Sequence, residues 1–349
     1  MPSTLGIVSS GYYDRPMWVV VGASASDYLN AYPINPYTGW GTKVAAPASS
    51  PPAESQTHVG WNYTNTVVAT CAATTTDSLR LNAWAWSAGS WGTKFSAPST
   101  ITSTTHRFPK FNPQNTDVIT SIGSTSNTTT DTYAWSNGWG TRYTSPTFTN
   151  GQNAGEFVLN GTVVIYGLIT TVTPLVAYTF TSGTGYGTKF ADPATQPTSQ
   201  GQYIAWDENT SSVITSQGNA SPYINAYPFT SSGWGTRFTI TSAFTTTSND
   251  IAFDKRGQSA FFLQSTPTRR AWSASGFGSN LSSPSSPLTT GTGLSISVSA
   301  DNSIFVQTSN GASPYIKAWP IRSSTTMGTA FSNPASASFS TTTLAEISN

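Results

Sequence analysis

Charge is the scarcest commodity in this sequence: 15 basic and 14 acidic residues among 349 leave a net charge of +1. That balance excludes a nucleic-acid partner, because the few basic residues are dispersed and cannot neutralise a run of phosphates. One cysteine, Cys71, excludes an internal disulfide, and its apolar neighbours Val67, Val68 and Ala69 read as an inert strand position. With only two histidines, His58 and His106, no His/Cys set has metal-ligand spacing, and each is expected to be a polar loop residue. Long apolar runs are missing as well. No stretch approaches the roughly 18 residues of a membrane helix, and Met17–Val21 lacks the basic flank and length of a secretory signal.

In place of charge stand 51 Ser and 57 Thr, with 12 Trp, 15 Tyr and 17 Phe. Thr with aromatic and β-branched residues suits half-buried strands, whereas Ser, Thr, Asn, Gly and Pro are poor in helices. The aromatic content is far above that of a solvated disordered chain. An all-β protein follows.

The chain repeats. An aromatic followed by Gly-Thr-Lys or Gly-Thr-Arg recurs at Trp40–Lys43, Trp91–Lys94, Trp139–Arg142, Tyr186–Lys189 and Trp234–Arg237, with degenerate copies at Phe277-Gly278 and Met327-Gly328. The glycine intervals are 51, 48, 47, 48, 43 and 50 residues. Ahead of each glycine stands an Ala-aromatic pair: Ala31-Tyr32, Ala83-Trp84, Ala134-Trp135, Ala177-Tyr178, Ala226-Tyr227, Ala271-Trp272 and Ala318-Trp319. Two apolar runs precede each pair, so every unit reads as four strands, a to d, with d starting at Gly-Thr-Lys. Seven such units predict a seven-bladed β-propeller of antiparallel four-stranded blades, since a lone blade cannot cover both of its apolar faces. The propeller is expected over residues 1–334, with Leu5–Ser9 as strand a of the first blade. Residues 335–349 are then surplus, either a strand that latches the last blade to the first or a partner-binding tail.

Strand order and the aromatic-ended third strand resemble WD-repeat propellers, although the Trp-Asp dipeptide is missing. More narrowly, Ser-Pro-Tyr-Ile-x-Ala-Tyr/Trp-Pro at Ser221–Pro228 and Ser313–Pro320, with Gly-Trp-Gly-Thr-Lys/Arg and Asn/Asp-Pro-Ala (Asp192–Ala194, Asn333–Ala335), is similar to repeats of virion proteins from environmental tailed bacteriophages. The resemblance implies a virion protein made in the host cytoplasm without a signal peptide. It would sit on tail, baseplate or capsid, touching other virion proteins or a host-surface glycan, with no cofactor and no membrane insertion.

Chemistry is thinly represented. Asp207-Glu208 is the one adjacent acidic pair and falls in a turn, where a structural role is expected; a non-enzymatic protein is therefore anticipated, with a multivalent lectin as the alternative and a glycan-degrading enzyme behind it. Candidate contact residues are Lys43, Lys94, Arg142, Lys189 and Arg237, as a basic rim, and Trp40, Trp91, Trp139 and Trp234, as stacking platforms. The plainer reading, preferred for both sets, has the basic stems covering aromatics and the indoles filling space between blades.

Overall fold

The computed structural model describes residues 17–23, 28–49, 56–72, 80–87, 89–101, 106–122, 128–218, 220–240, 244–288, 293–309, 315–334 and 342–348. Blade 1 contains β1 (Met17–Ala23), β2 (Leu29–Asn35) and β3 (Gly39–Trp40); blade 2 contains β4 (Gln56–Trp61), β5 (Val67–Ala72), β6 (Leu81–Ser87) and β7 (Ser90–Lys94). Blade 3 follows with β8 (His106–Phe111), β9 (Asp117–Ile122), β10 (Asp131–Trp135) and β11 (Trp139–Arg142), and blade 4 with β12 (Gln152–Val158), β13 (Val163–Leu168), β14 (Leu175–Thr181) and β15 (Gly185–Lys189). In blade 5 come β16 (Gly201–Asp207), β17 (Ser212–Gln217), β18 (Ile224–Thr230) and β19 (Gly233–Trp234), and in blade 6 β20 (Ile251–Phe253), β21 (Ser259–Leu263), β22 (Pro267–Ser273) and β23 (Gly276–Asn280). Blade 7 has β24 (Gly293–Val298), β25 (Ile304–Ser309) and β26 (Ile316–Pro320), its fourth place marked by the bridge between Ile321 and Met327. The all-β seven-bladed propeller is as expected.

Of the two readings of the C-terminal residues, the structure has the closing strand. β27 (Thr342–Ile347) pairs antiparallel with β1, matching Val19 to Ile347 and Val20 to Glu346, and so takes the strand-a place of blade 1. Leu5–Ser9, assigned that place from the sequence, lies outside the described residues. The assignment had only local apolarity to go on, whereas strand a is fixed by which segment meets β1 in space.

Strand b of each blade is flanked by a and c and covered by neighbouring blades, so β5, β9, β13, β17 and β25 are buried along their length. Continuous burial should give an apolar run, yet Thr70, Thr120, Ser121, Thr215, Ser216 and Thr308 sit there. Thr120 satisfies its hydroxyl on the Asp131 carbonyl at 3.0 Å and Ser121 on the Arg107 carbonyl at 3.2 Å. Part of the hydroxyl wealth is thus interior, not surface.

The repeat glycine has a steric origin. A Cβ at Gly41 would lie 2.6 Å from the Pro33 side chain, and one at Gly278 would lie 2.9 Å from that of Ala271, so strand d can press onto strand c only without a side chain there. Register gives the Ala-aromatic pair two versions. In blades 2 and 4 the pair's aromatic faces the basic residue of strand d, Trp84 opposite Lys94 and Tyr178 opposite Lys189. In blades 3 and 6 the pair falls two residues later, where Trp135 faces Trp139 and Trp272 faces Phe277. A two-residue offset keeps the same face of the strand, so packing survives. In blades 2, 3, 5 and 7 a strand-c aromatic also ties the blade to the segment arriving from the one before: Trp84 Nε1 donates to the Ser49 carbonyl (3.1 Å), Tyr133 Oη to Thr100 (2.7 Å), Tyr227 Oη to Thr195 (2.8 Å) and Trp319 Nε1 to Ser285 (2.8 Å).

Candidate functional site: the a–b mouth of the central channel

The innermost strands β27, β4, β8, β12, β16, β20 and β24 touch in that order around the axis, and β24 returns to β27. Equivalent positions follow from the a–b turns of blades 2, 3, 4, 6 and 7, closed by hydrogen bonds such as Asn65 N to Asn62 O, Asn115 N to Asn112 O and Gly161 N to Val158 O, and from strand register in blades 1 and 5. Two residues before each turn, one layer of the channel holds Glu346, Gly60, Lys110, Glu156, Ala205, Ala252 and Ser297. Three of these seven are charged in a chain poor in charge.

Gly60 makes the cluster possible. A Cβ there would lie 2.0 Å from the Pro109 carbonyl oxygen, so blade 2 contributes no side chain to this layer. Lys110 of blade 3 meets Glu346 of blade 1, with Nζ 3.7 Å from Oε1, and both side chains stay about one-third exposed or less (35% and 26%). The other carboxylate oxygen of Glu346 accepts the Trp61 N–H at 2.9 Å. Burial disfavours the Lys110 charge, but Glu346, Glu156 and Asp250 outweigh it and hold the ammonium above the usual lysine range. Burial raises Glu156, and Glu346 adds to the rise, while Lys110 and Lys255 oppose it.

Two residues deeper, His58, Phe108, Tyr203 and Asp250 form the floor. Phe108 has φ of 48°, in the left-handed region that a bulky residue avoids, at the bulge between Arg107 and Lys110. Its ring meets His58 at 4.3 Å and, across the channel in blade 5, Tyr203 at 5.5 Å. Burial, with Arg107 and Lys110 nearby, lowers His58 well below the usual value and favours the neutral imidazole. Burial likewise raises Asp250 to about 7, although the Ile251 and Ile296 N–H groups both donate to its carboxylate (2.8 and 2.9 Å). The mouth therefore has carboxylate and ammonium walls over a layer of Phe108, Tyr203, His58 and Asp250.

Asp250 carries a pH prediction. A folded-state value near 7 lies above the unfolded value of about 3.9, so the native state holds a proton that the unfolded chain has lost. Stability from this group is full below about pH 4, falls as pH rises to about 7, and is flat beyond. Asp250→Asn removes that slope: relative to wild type, its urea midpoint is expected to rise between pH 5 and pH 8, and a constant offset would overturn the assignment.

The residues singled out from the sequence do not meet at this site. Lys43, Lys94, Arg142, Lys189 and Arg237 belong to the outer edge of five different blades. Lys94 Nζ lies 5.4 Å over the Trp84 ring, Arg142 Nε 2.5 Å from Asp131, Lys189 2.8 Å from Asp192 and Arg237 3.1 Å from Asn225. Trp40, Trp91, Trp139 and Trp234 are half-buried and pack edge-on against strand-c aromatics, as Trp91 does on Trp86 at 4.7 Å. Asp207 is buried and serves its turn, accepting from Thr210 Oγ1 (2.5 Å) and Trp272 Nε1 (3.2 Å), while Glu208 is exposed.

Neither histidine is a loop residue. His58 is in β4 and His106 in β8, where it is buried with Nδ1 3.0 Å from Thr120 Oγ1 and Nε2 3.4 Å from Asp131. The loop expectation rested on polarity alone and missed that a buried carboxylate or channel wall can house an imidazole. Lys110, Glu156, Glu346, Asp250, Phe108 and Tyr203 escaped sequence reasoning. The available signal was a charge near the end of strand a, at a place that holds Gly, Ala or Ser in the other blades.

No protein-family model matches the chain, and no curated relative does. Among solved structures, it is similar over its whole length to a putative 6-phosphogluconolactonase of Bacteroides fragilis, with 9% identity, 100% of both chains covered and a TM-score of 0.73. A second protein so named, from Bacteroides uniformis, matches at 10% identity over 95% of this chain and 99% of its own, with a TM-score of 0.68. The Cps50 (Swd1) β-propeller domain of Myceliophteria thermophila matches at 10% identity over 80% and 87%, with a TM-score of 0.56. At such identities the likeness is one of fold. It corrects the expectation that the chain is not an enzyme: proteins named for a hydrolytic activity share this fold from end to end, and a count of ionisable groups was no ground for exclusion once the structure gathers several in one channel.

Proposed function

We propose that the propeller works through the a–b mouth of its channel and takes a small polyhydroxylated ligand, a sugar acid with one negative charge or the neutral lactone that hydrolyses to it. The layer of Glu346, Lys110 and Glu156 over the Phe108–Tyr203 floor carries this reading. Carboxylates accept from sugar hydroxyls, the ammonium pairs with the ligand carboxylate, and aromatic faces suit the apolar side of a pyranose. Lys110 and Lys255 balance Glu156 and Glu346, so a doubly charged phosphate finds no net positive field here. The Glu156 carboxylate, made more basic by burial, also suits removal of a proton from water attacking a lactone carbonyl, with the proton passed on to the ring oxygen as the C–O bond breaks. The names of the two Bacteroides neighbours favour including that step.

Binding of glucuronate, glucose and glucose 6-phosphate by calorimetry, with acid release from glucuronolactone followed by pH-stat, tests the proposal. Glucuronate is expected to bind at least about tenfold tighter than either other sugar, with Lys110→Met abolishing the preference and the rim variant Lys189→Ala leaving it intact. Equal glucuronate affinity in wild type and Lys110→Met would sink the reading.

The repeat resemblance supports a place for this propeller on a tailed-phage particle, where a channel mouth selective for acidic sugars would meet the host envelope. Mass spectrometry of purified, nuclease-treated particles tests the location, and absence of the chain would reject it.

A further inference from the structure

The channel mouth is not the sole concavity on its face. Between blades 2 and 3 lies a cleft of about 330 Å³ lined by Asn62, Thr64, Asn115 and Asn137, with Phe95 and Trp135 among its apolar walls. That volume is at the lower end of small-molecule sites. Asn62 and Thr64 belong to the a–b turn of blade 2 and Asn115 to that of blade 3, next to the channel; Asn137 belongs to the outer c–d hairpin of blade 3. The cleft therefore runs outward from the axis.

Its chemistry contrasts with the mouth. No lining residue is ionisable. Asn62 is locked in place: its Oδ1 accepts the Thr66 and Val67 N–H groups (2.8 and 2.9 Å), and its Nδ2 donates to the Thr64 and Thr66 hydroxyls (2.9 and 3.0 Å). Phe95 and Trp135 stand edge to face at 5.2 Å. Asn62 thus shapes the wall rather than bonding a ligand, while the amides of Asn115 and Asn137 and the lining hydroxyls beside the aromatic pair suit a neutral sugar ring, and a preorganised lining lowers the entropy cost of binding.

Tyr63 links the two concavities. It lies between Asn62 and Thr64, its N–H donates to Asn115 Oδ1 at 2.7 Å, and it is 45% exposed. It follows Gly60 of the charged layer by three residues, so its turn stands between the channel and the cleft.

We propose that the cleft is a second subsite, for a neutral sugar joined to the acidic residue in the mouth, so that the ligand is an oligosaccharide lying across Tyr63. This rests on the reading of the mouth given above. The test compares glucuronate with a glucuronyl-hexose disaccharide and a trisaccharide extended by a second neutral hexose, by calorimetry on the full chain. The longer ligands are expected to bind at least about tenfold tighter than the monosaccharide. Asn137→Gly, which suits the φ of 55° there, and Ser136→Ala, at the neighbouring lining residue of the same hairpin, should each cut that gain severalfold while glucuronate binding stays unchanged. Equal affinity for all three ligands overturns the subsite and leaves the mouth standing. Full retention of the gain in both variants overturns the placement, and no binding by any ligand overturns both proposals.

Discussion

Asp131→Ala is expected to destabilise the protein by about 3–5 kcal/mol, read as a lowered urea midpoint, because it strips the partner from charges that the fold has taken out of water. Asp131 is fully buried and bonded to Arg142 Nε at 2.5 Å, while His106 Nε2 lies 3.4 Å from its other oxygen. The imidazole is held from behind by Thr120 at 3.0 Å, whose hydroxyl also reaches the Asp131 carbonyl. Alanine leaves a buried imidazole and a guanidinium only 21% exposed without their carboxylate. Lys189 and Asp192 form an outwardly similar pair in the next blade, yet those side chains are 40% and 32% exposed. Asp192→Ala should therefore cost under about 1 kcal/mol. Equal losses in the two variants would show that burial is not what separates them.

The contrast between these pairs marks how far the sequence could be read. Both basic residues occupy the same place in the repeat, Arg142 in Trp-Gly-Thr-Arg and Lys189 in Tyr-Gly-Thr-Lys, and the string was legible because it answers to one local requirement, a glycine pressed on strand c. Blade number and strand order were legible for the same reason: each blade solves the same packing problem within about 48 residues. The channel cluster obeys no such local rule. Lys110, Glu156 and Glu346 lie in three blades, and a repeat that aligns their positions also aligns Gly60, Ala205, Ala252 and Ser297 with them, so the charges read as exceptions. Only the curvature that turns seven equivalent strands toward one axis converts those exceptions into a site. His58 and Phe108 were obscured by a bulge that breaks strand alternation, and the left-handed Phe108 belongs to no sequence signature.

Removing residues 341–349 is expected to cost on the order of 5 kcal/mol and to abolish glucuronate binding together with the fold's closure. The stability figure sums a buried Ile347 and Ala345, worth roughly 2–4 kcal/mol, and several net hydrogen bonds of about 1 kcal/mol each. Those bonds include the β1 ladder and the inter-blade donors Ala345 N to Ser295 Oγ (3.0 Å) and Ile347 N to Ser297 Oγ (3.3 Å). The loss of binding has a separate cause, since β27 carries Glu346. Glu346→Gln separates the two effects: an amide oxygen still accepts from Trp61 N, but the pair with Lys110 is gone. Its stability should stay within about 1 kcal/mol of wild type while the preference for glucuronate over glucose 6-phosphate collapses, because Lys110 and Lys255 then face Glu156 alone and the net positive charge favours the doubly charged ligand. A Glu346→Gln protein that keeps the wild-type preference would detach the closing strand from the site. By linkage, ligand held in part by β27 must in turn hold β27 in place. Saturating glucuronate is therefore expected to slow hydrogen exchange at the Glu346 and Ile347 amides in wild type and to leave it unaltered in Lys110→Met.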